Sequence, residues 1–398
     1  MKRFNKSKAL RNLNNKNNNR TKKYSIIFSV AILIVAIIYF SFARFESNST
    51  YSLINGTIAQ PIVNLKQYIL NRKTMDLQYD GEETLGEYGT PDNNLRYVGS
   101  DPDNYVYFNC NTNNPNEMNE ETCEVWRIIG IMTDIEDDDG VTENRIAIIR
   151  NDSIGMYSWD TSSNTVNDGS GINQWGASGT YEGADLMREL NTDYLGNITV
   201  GTDGKWYSNY LNNKNNPMPS IQLNSNAQQM IETVKWYTGA SDGNDKIYAK
   251  DLYANERNST KTGKKCLSGS TCNDNVNRTG NWVGKVGLMY YSDLMYAIVQ
   301  NNKSYCFNIA LDEFKTSEKK ETCLNQSWIF NDLDEWTLSI VYLMGDAYGV
   351  VSVDPSYGIR TNVAAEPFNV RPVVYLKQNV MIAGGNGTDG SSYKLIMQ

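Results

Sequence analysis

The sequence predicts a mixed α+β domain placed behind a single N-terminal transmembrane helix. Three observations carry this expectation. Residues 25–43 are an uncharged apolar run without Pro or Gly, six cysteines fall as near neighbours, and strand-like and helix-like segments alternate from residue 95 to the C-terminus.

The apolar run comes first. Its 19 residues reach about 28 Å as a helix, at about 1.5 Å per residue. That matches a hydrocarbon core of roughly 30 Å. Residues 1–24 carry Lys2, Arg3, Lys6, Lys8, Arg11, Lys16, Arg20, Lys22 and Lys23 and no acidic residue. Lys and Arg collect on the cytoplasmic side, so 1–24 is a cytoplasmic tail and 44–398 lies outside the cell. The competing reading is a cleaved signal peptide, for which Ser41-Phe42-Ala43 offers a small-x-small site. Secretory apolar segments run only about 7–15 residues, and the greater length here favours an anchor. The tail is too poor in apolar residues to fold, and its charges suit topology and anionic lipid.

All 45 acidic residues follow the run, against 28 of the 37 basic ones, a formal charge of −17. Such a surface excludes nucleic acid as a partner and suits an exposed, salt-bathed domain. About 320 residues outside the membrane can bury a large core as one domain or two. Eight Trp and 26 Tyr imply a core rich in aromatics with polar handles. The cysteines predict local disulfides, Cys110 with Cys123, Cys266 with Cys272 and Cys306 with Cys323, because short loops in an oxidising compartment favour near pairing. Zinc would need C-x-x-C spacing and usually His, and the chain has neither.

Along the chain, residues 44–94 read as stalk and linker. Within them 61–70 predicts a short helix, with Pro61 at its first position and Ile62, Leu65 and Ile69 on one face. That face would pack on the domain or on a sister stalk, giving an oligomer. Residues 76–103 are rich in Gly, Asp, Asn and Pro and read as an irregular entry. The extracellular domain, 95–398, then opens with strands at 105–108, 124–132 and 145–150. An acidic Asp-Gly turn at 134–140 joins the last two. A calcium loop there fails in register, because Gly140 at position six puts Ile135 at position one.

Residues 151–260, a possible inserted region, are turn-rich, with Trp159, Trp175 and Trp206 expected in the core rather than lining a sugar site. Helices are expected at 181–190 and from Asn226, the second with Met230, Val234 and Tyr237 as its buried stripe and Gly239 as its stop. Residues 282–299 read as strand, turn and helix, with Ser292 as N-cap and Leu294, Met295 and Ile298 as the apolar face. Strands follow at 348–353 and 370–376, where Pro372 belongs at a strand start or on an edge. A closing hairpin turns through 383–390. Its Gly384-Gly-Asn-Gly-Thr-Asp389 is a single, weak match to a calcium-binding repeat.

The series Trp126-Arg-Ile-Ile-Gly130, Gly287-Leu-Met-Tyr-Tyr-Ser-Asp293 with Tyr296-Ala297, Trp336-Thr-Leu-Ser339 and Val370-Arg-Pro-Val-Val-Tyr-Leu376 resembles an uncharacterised ectodomain recurrent among surface proteins of Gram-positive-type bacteria. More distantly, Leu288, Tyr296 and Ala297 are similar to positions of the L-P-T-E-A-E-W-E-Y-A signature of the formylglycine-generating-enzyme branch of C-type-lectin-like folds. Met289 and Leu294 replace that signature's Pro and Trp. The resemblance implies an irregular C-type-lectin-like α+β domain with short strands, long loops and ligand contact through loops. The family's copper-holding cysteine pair does not carry over, since no cysteine follows Cys323. Glu366-Pro-Phe-Asn369 departs from the lectin E-P-N motif by one inserted residue.

The chain has no histidine, which excludes Ser–His–Asp, Cys–His and His–zinc catalysis. Paired carboxylates for glycoside chemistry stay open. The candidate ligand-loop residues are Asp332, Asp334, Glu335, Trp336, Glu366 and Asn369, the acids among them being the ones to test for catalysis. No cofactor is implied, with calcium the one ion acidic loops would take. The expectation is a membrane-anchored, adhesin-like surface protein that binds extracellular glycan, cell-wall polymer or protein without catalysis. A carboxylate hydrolase and an envelope assembly component are the alternatives.

Overall fold

The computed structural model describes residues 61–80, 93–160, 175–176, 183–196, 222–238, 280–314, 316–331, 333–342 and 348–398, with short pieces at 53–54, 57–58, 240–242, 248 and 256. The apolar run 25–43, Trp206 and the Cys266–Cys272 loop lie outside them. Among the described residues no helix is long and apolar enough to cross a membrane. The chain divides into Met1–Pro61 and Ile62–Gln398. In the first unit β1 (Leu53–Ile54) pairs antiparallel with β2 (Thr57–Ile58).

The second unit is mixed α+β, mostly strands with a few short helices. In order come β3 (Val63–Asn64), α1 (Leu65–Asn71), β4 (Leu77–Tyr79), β5 (Leu95–Tyr97), β6 (Tyr105–Phe108), β7 (Glu124–Glu136), β8 (Thr142–Arg150) and β9 (Met156–Ser158). Next are α2 (Asp185–Asn191), α3 (Ser225–Met230), β10 (Val234–Thr238), β11 (Ala240–Asp242), β12 (Gly280–Gly284), β13 (Val286–Leu288), α4 (Tyr291–Tyr296), α5 (Gln300–Phe307) and α6 (Ser317–Thr322). The chain closes with β14 (Glu335–Tyr342), β15 (Tyr348–Asp354), β16 (Gly358–Val363), β17 (Pro367–Asn369), β18 (Pro372–Tyr375), β19 (Val380–Ile382) and β20 (Tyr393–Met397).

The larger sheet runs β13-β18-β8-β7-β6-β20-β19-β3, with β5 also on β7 and β4 on β5. Its organising strand is β7, long enough to hold β6 along Glu124–Arg127 and β5 at Gly130–Ile131 while pairing with β8 as well. Gly130 makes the close approach of β5 possible, since a Cβ there would stand 2.3 Å from the Leu95 carbonyl oxygen. The smaller sheet runs β16-β15-β14-β17-β9, with β11 also on β14. Strands of both sheets contribute to one core rich in large aromatics, in which Trp126, Trp159, Trp175, Trp236 and Trp336 are fully buried. The expectation of core tryptophans holds for those that are described. Both expected disulfides within the described residues are present, Cys110–Cys123 and Cys306–Cys323. Closing loops of this length is worth about 3 kcal/mol each through the unfolded chain.

Several local expectations need correction. The first helix starts after Asn64, whose side chain accepts from Gln67 N at 3.1 Å, so Ile62 lies outside it and is exposed. Leu65 and Ile69 are buried in the domain itself, and β3 pairs with β19. Residues 62–80 of the expected stalk are thus part of the fold, as are β4 and β5 of the expected linker. Val234 and Tyr237 are not on a helix. In Val234-Lys-Trp-Tyr-Thr238 burial alternates residue by residue, the period of a strand, and β-branched and aromatic side chains favour it. Helix α3 stops at Met230. In α4 the cap is Tyr290 rather than Ser292, with the Asp293 carboxylate accepting Tyr290 N at 2.9 Å. All six residues of α4 are buried, so it is a core element and not a half-exposed amphipath. Asp293 and Asp80 both hold the buried Arg96, at 2.5 and 2.8 Å. Pro372 does begin its strand.

Candidate functional site

The turn between β15 and β16 is written by its residues. Asp354, followed by Pro355, Ser356, Tyr357 and Gly358, uses one carboxylate oxygen to accept Ser356 N at 2.7 Å and Tyr357 N at 3.0 Å. This is the local side-chain turn that Asp favours. Gly358 closes it at φ 81°, where a Cβ would also meet the Phe314 carbonyl oxygen at 2.6 Å. The other oxygen of Asp354 pairs with Arg360 Nε at 3.3 Å. The Arg360 guanidinium in turn lies 3.4 Å from the centroid of the Tyr357 ring, a cation–π contact. Tyr357 is nevertheless 55% exposed. Asp334 is the next acid at this tip. Partial burial and the Asp354 charge raise its pKa above the ordinary carboxylate value, and Arg360 opposes them. The result is a surface rim with one exposed aromatic ring, one half-exposed guanidinium and one exposed carboxylate, Asp334, with Asp354 buried beneath as the residue that holds Arg360.

The sequence-nominated residues divide around this rim. Asp334 belongs to it, and its carbonyl accepts Asn369 N at 2.8 Å. Glu335, one residue on, points inward and is fully buried against Arg371, with Arg371 Nε donating to it at 2.7 Å. Arg371 also donates to the Ile329 carbonyl at 2.7 Å. Burial raises the Glu335 pKa, and Arg371 counters it. Trp336 is not a ligand platform. It is fully buried, donates Nε1–H to the Tyr157 carbonyl at 2.9 Å and packs on Phe368 with centroids 4.4 Å apart. Asn369 is half-buried, opposite Glu335 across β14 and β17. Glu366 is exposed in the turn before β17. Asp332 lies outside the described residues. Tyr357 and Arg360 were missed by sequence reasoning because β16 was. The Asp-Pro-Ser-Tyr-Gly string at 354–358 is the signal that marks the hairpin.

A second depression, with room for about one water molecule (about 10 Å³), is lined by Phe108, Met118 and Met230 among others. Asn113 and Asn226 hydrogen-bond across it at 3.3 Å. It falls short of the roughly 300–1,000 Å³ of a usual small-molecule site. Among the described residues no group of three or more His, Cys, Asp or Glu is placed to hold a metal ion. The acidic turn of 134–140 is engaged by the fold, with Asp137 accepting Asp139 N, Val141 N and Arg145.

Comparison with known proteins finds no matching family model, no similar curated protein and no similar solved structure.

Proposed function

We propose that this chain is a single-pass, N-in surface protein of a Gram-positive-type bacterium, whose C-type-lectin-like ectodomain binds extracellular glycan or cell-wall polysaccharide without catalysis. The observation that carries the reading is Tyr357. A sugar ring presents a C–H face for an aromatic ring and hydroxyls for charged donors and acceptors. The exposed Tyr357 ring, with Arg360 over one face and the exposed Asp334 within electrostatic reach of Arg360, offers that combination. Such a shallow surface binds and does not enclose. The hydrolase alternative draws little from the nominated acids, because Asp334 faces solvent while its neighbour Glu335 is buried and tied to Arg371. The two cannot flank one glycosidic bond.

The test is a binding screen of the protein against a glycan array and purified cell wall, with and without calcium. Saturable binding that Tyr357→Ala weakens, with no release of reducing ends, is the expected result. Release of soluble sugar would put the hydrolase first. Binding only to protein ligands would remove the glycan reading, and a calcium requirement would assign the acidic loops to ion binding.

A further inference from the structure

Acidic residues are absent from 47–75, although the chain carries 45 of them; the stretch holds Lys66, Arg72 and Lys73 instead. Glu46 precedes this window and Asp76 ends it. From Asp76 onward acids outnumber bases 44 to 24. The same part of the chain is unusually apolar at its surface. Of the nine exposed large hydrophobics among the described residues, four fall within 62–79: Ile62 (54%), Leu70 (42%), Met75 (92%) and Tyr79 (52%). The remaining five are scattered from Val141 to Tyr357.

Local geometry explains why these side chains are not buried. Leu65 and Ile69 take the inward side of α1, leaving Leu70 on the outward side. The chain then turns at 73–76, where Leu77 N donates to the Thr74 carbonyl at 3.4 Å and the Met75 carbonyl accepts Gln78 Nε2 at 2.9 Å. Met75 is left at the tip. Strand β3, which follows Ile62, is the outermost strand at one end of the larger sheet. Arg72 is engaged by the Tyr393 hydroxyl, the Asn386 carbonyl and, at 3.6 Å, the half-exposed Asp103 carboxylate, so its charge is largely spent within the fold, while Lys73 is exposed.

We infer that residues 62–79 form a membrane-facing surface of the domain, which rests on an anionic bilayer through Leu70, Met75 and Tyr79 with Lys73 on the lipid headgroups. Apolar side chains beside lysine, within an otherwise acidic chain, are the composition that interfacial segments use. The inference rests on the anchor reading of residues 25–43. Eighteen residues, 44–61, separate that run from Ile62, a tether of at most about 60 Å. A tethered contact needs little intrinsic affinity, because the linker holds it at high effective concentration.

Methionine oxidation tests this in the full chain reconstituted into nanodiscs containing anionic lipid. Met75 is 92% exposed and Met156, on the smaller sheet, is 50% exposed, so an uncovered domain oxidises Met75 first. Peptide mapping after dilute peroxide treatment reads both sulfoxides. The expected result is a several-fold slowing of Met75, placing it behind Met156, and recovery in a Leu70→Asp/Lys73→Glu variant. Met75 oxidising ahead of Met156 in the discs overturns the inference and leaves the anchor standing. Protection that persists in the variant overturns it as well, since tethering alone would then shield the site. Intact mass of the membrane-isolated protein is the separate check on the anchor: loss of residues 1–43 would remove that reading and this inference together.

Discussion

Two hairpins of this protein use one turn chemistry for different ends. At the β7–β8 tip, one oxygen of Asp137 accepts Asp139 N and Val141 N at 3.1 and 2.8 Å, and the other accepts from Arg145 at 2.8 Å. At the β15–β16 tip, Asp354 likewise closes its turn with one oxygen and holds Arg360 with the other. Each turn is completed by a glycine in the left-handed region, Gly140 at φ 80° and Gly358 at φ 81°. The difference lies in what covers the arginine. Asp137 is bridged to Val234 of β10, and Arg145 is 2% exposed, held also by Glu143 and Glu232. Arg360 is 38% exposed and lies on an open tyrosine ring. The same local motif is a structural clamp where another strand covers it, and where its arginine stays half exposed it is the surface we propose for recognition.

Removing the arginine should break the comparison most sharply at the buried hairpin. Arg145→Ala empties a buried site and strands up to three carboxylates, of which Asp137 is the most covered at 13% exposed, and should cost about 3 kcal/mol in urea unfolding. A smaller loss, near that of a surface pair, would mean that the clamp is solvated. Tyr357→Ala should leave stability within about 0.5 kcal/mol yet weaken glycan affinity about tenfold, about 1.4 kcal/mol. Unchanged affinity by titration calorimetry would remove Tyr357 from the site. Arg360→Ala should cost less, about 1–2 kcal/mol of stability, because Arg360 is itself 38% exposed and only one carboxylate, Asp354, loses its partner. That is a direct contrast with Arg145, read in the same unfolding experiment.

The smallest effect is a pH dependence at Asp334. Its folded pKa is raised, so its ionisation weighs against the native state. The native state is relatively favoured below the unfolded carboxylate value, and that advantage is lost as pH rises through the folded pKa. Asp334→Asn should therefore be slightly more stable than wild type at neutral pH, by under about 0.5 kcal/mol after screening. The gap should close as pH falls below about 4. Added salt should shrink it, since the Asp354 repulsion acts through solvent. A variant less stable than wild type at neutral pH would mean that Asp334 holds a partner.

Much of the fold is legible in residue order. The β7 and β8 strands announce themselves as apolar runs on either side of an Asp-Gly turn, and near spacing in an oxidising compartment favours the local cysteine pairing seen at Cys110–Cys123 and Cys306–Cys323. Errors cluster where a short apolar pattern fits two periods. Met230, Val234 and Tyr237 sit at helical spacing, but the alternation of Val234, Trp236 and Thr238 is what the packed core uses. The candidate site was half legible. Asp334 was nominated through its acidity, whereas Trp336, beside it, belongs to a tryptophan cluster whose members lie far apart in sequence.

By itself the sequence determined the apolar run, the charge asymmetry about it, the absence of histidine chemistry, the local disulfides and the mixed strand-and-helix character. These are properties of composition and of neighbours within a few residues, which need no knowledge of the fold. Tertiary structure alone decided that residues 62–80 join the domain, that α4 is buried throughout, and that Glu335 turns inward to Arg371 while Tyr357 stays open. Each of these depends on which distant segment covers a side chain. Burial is a property of that covering surface, and no residue carries it alone.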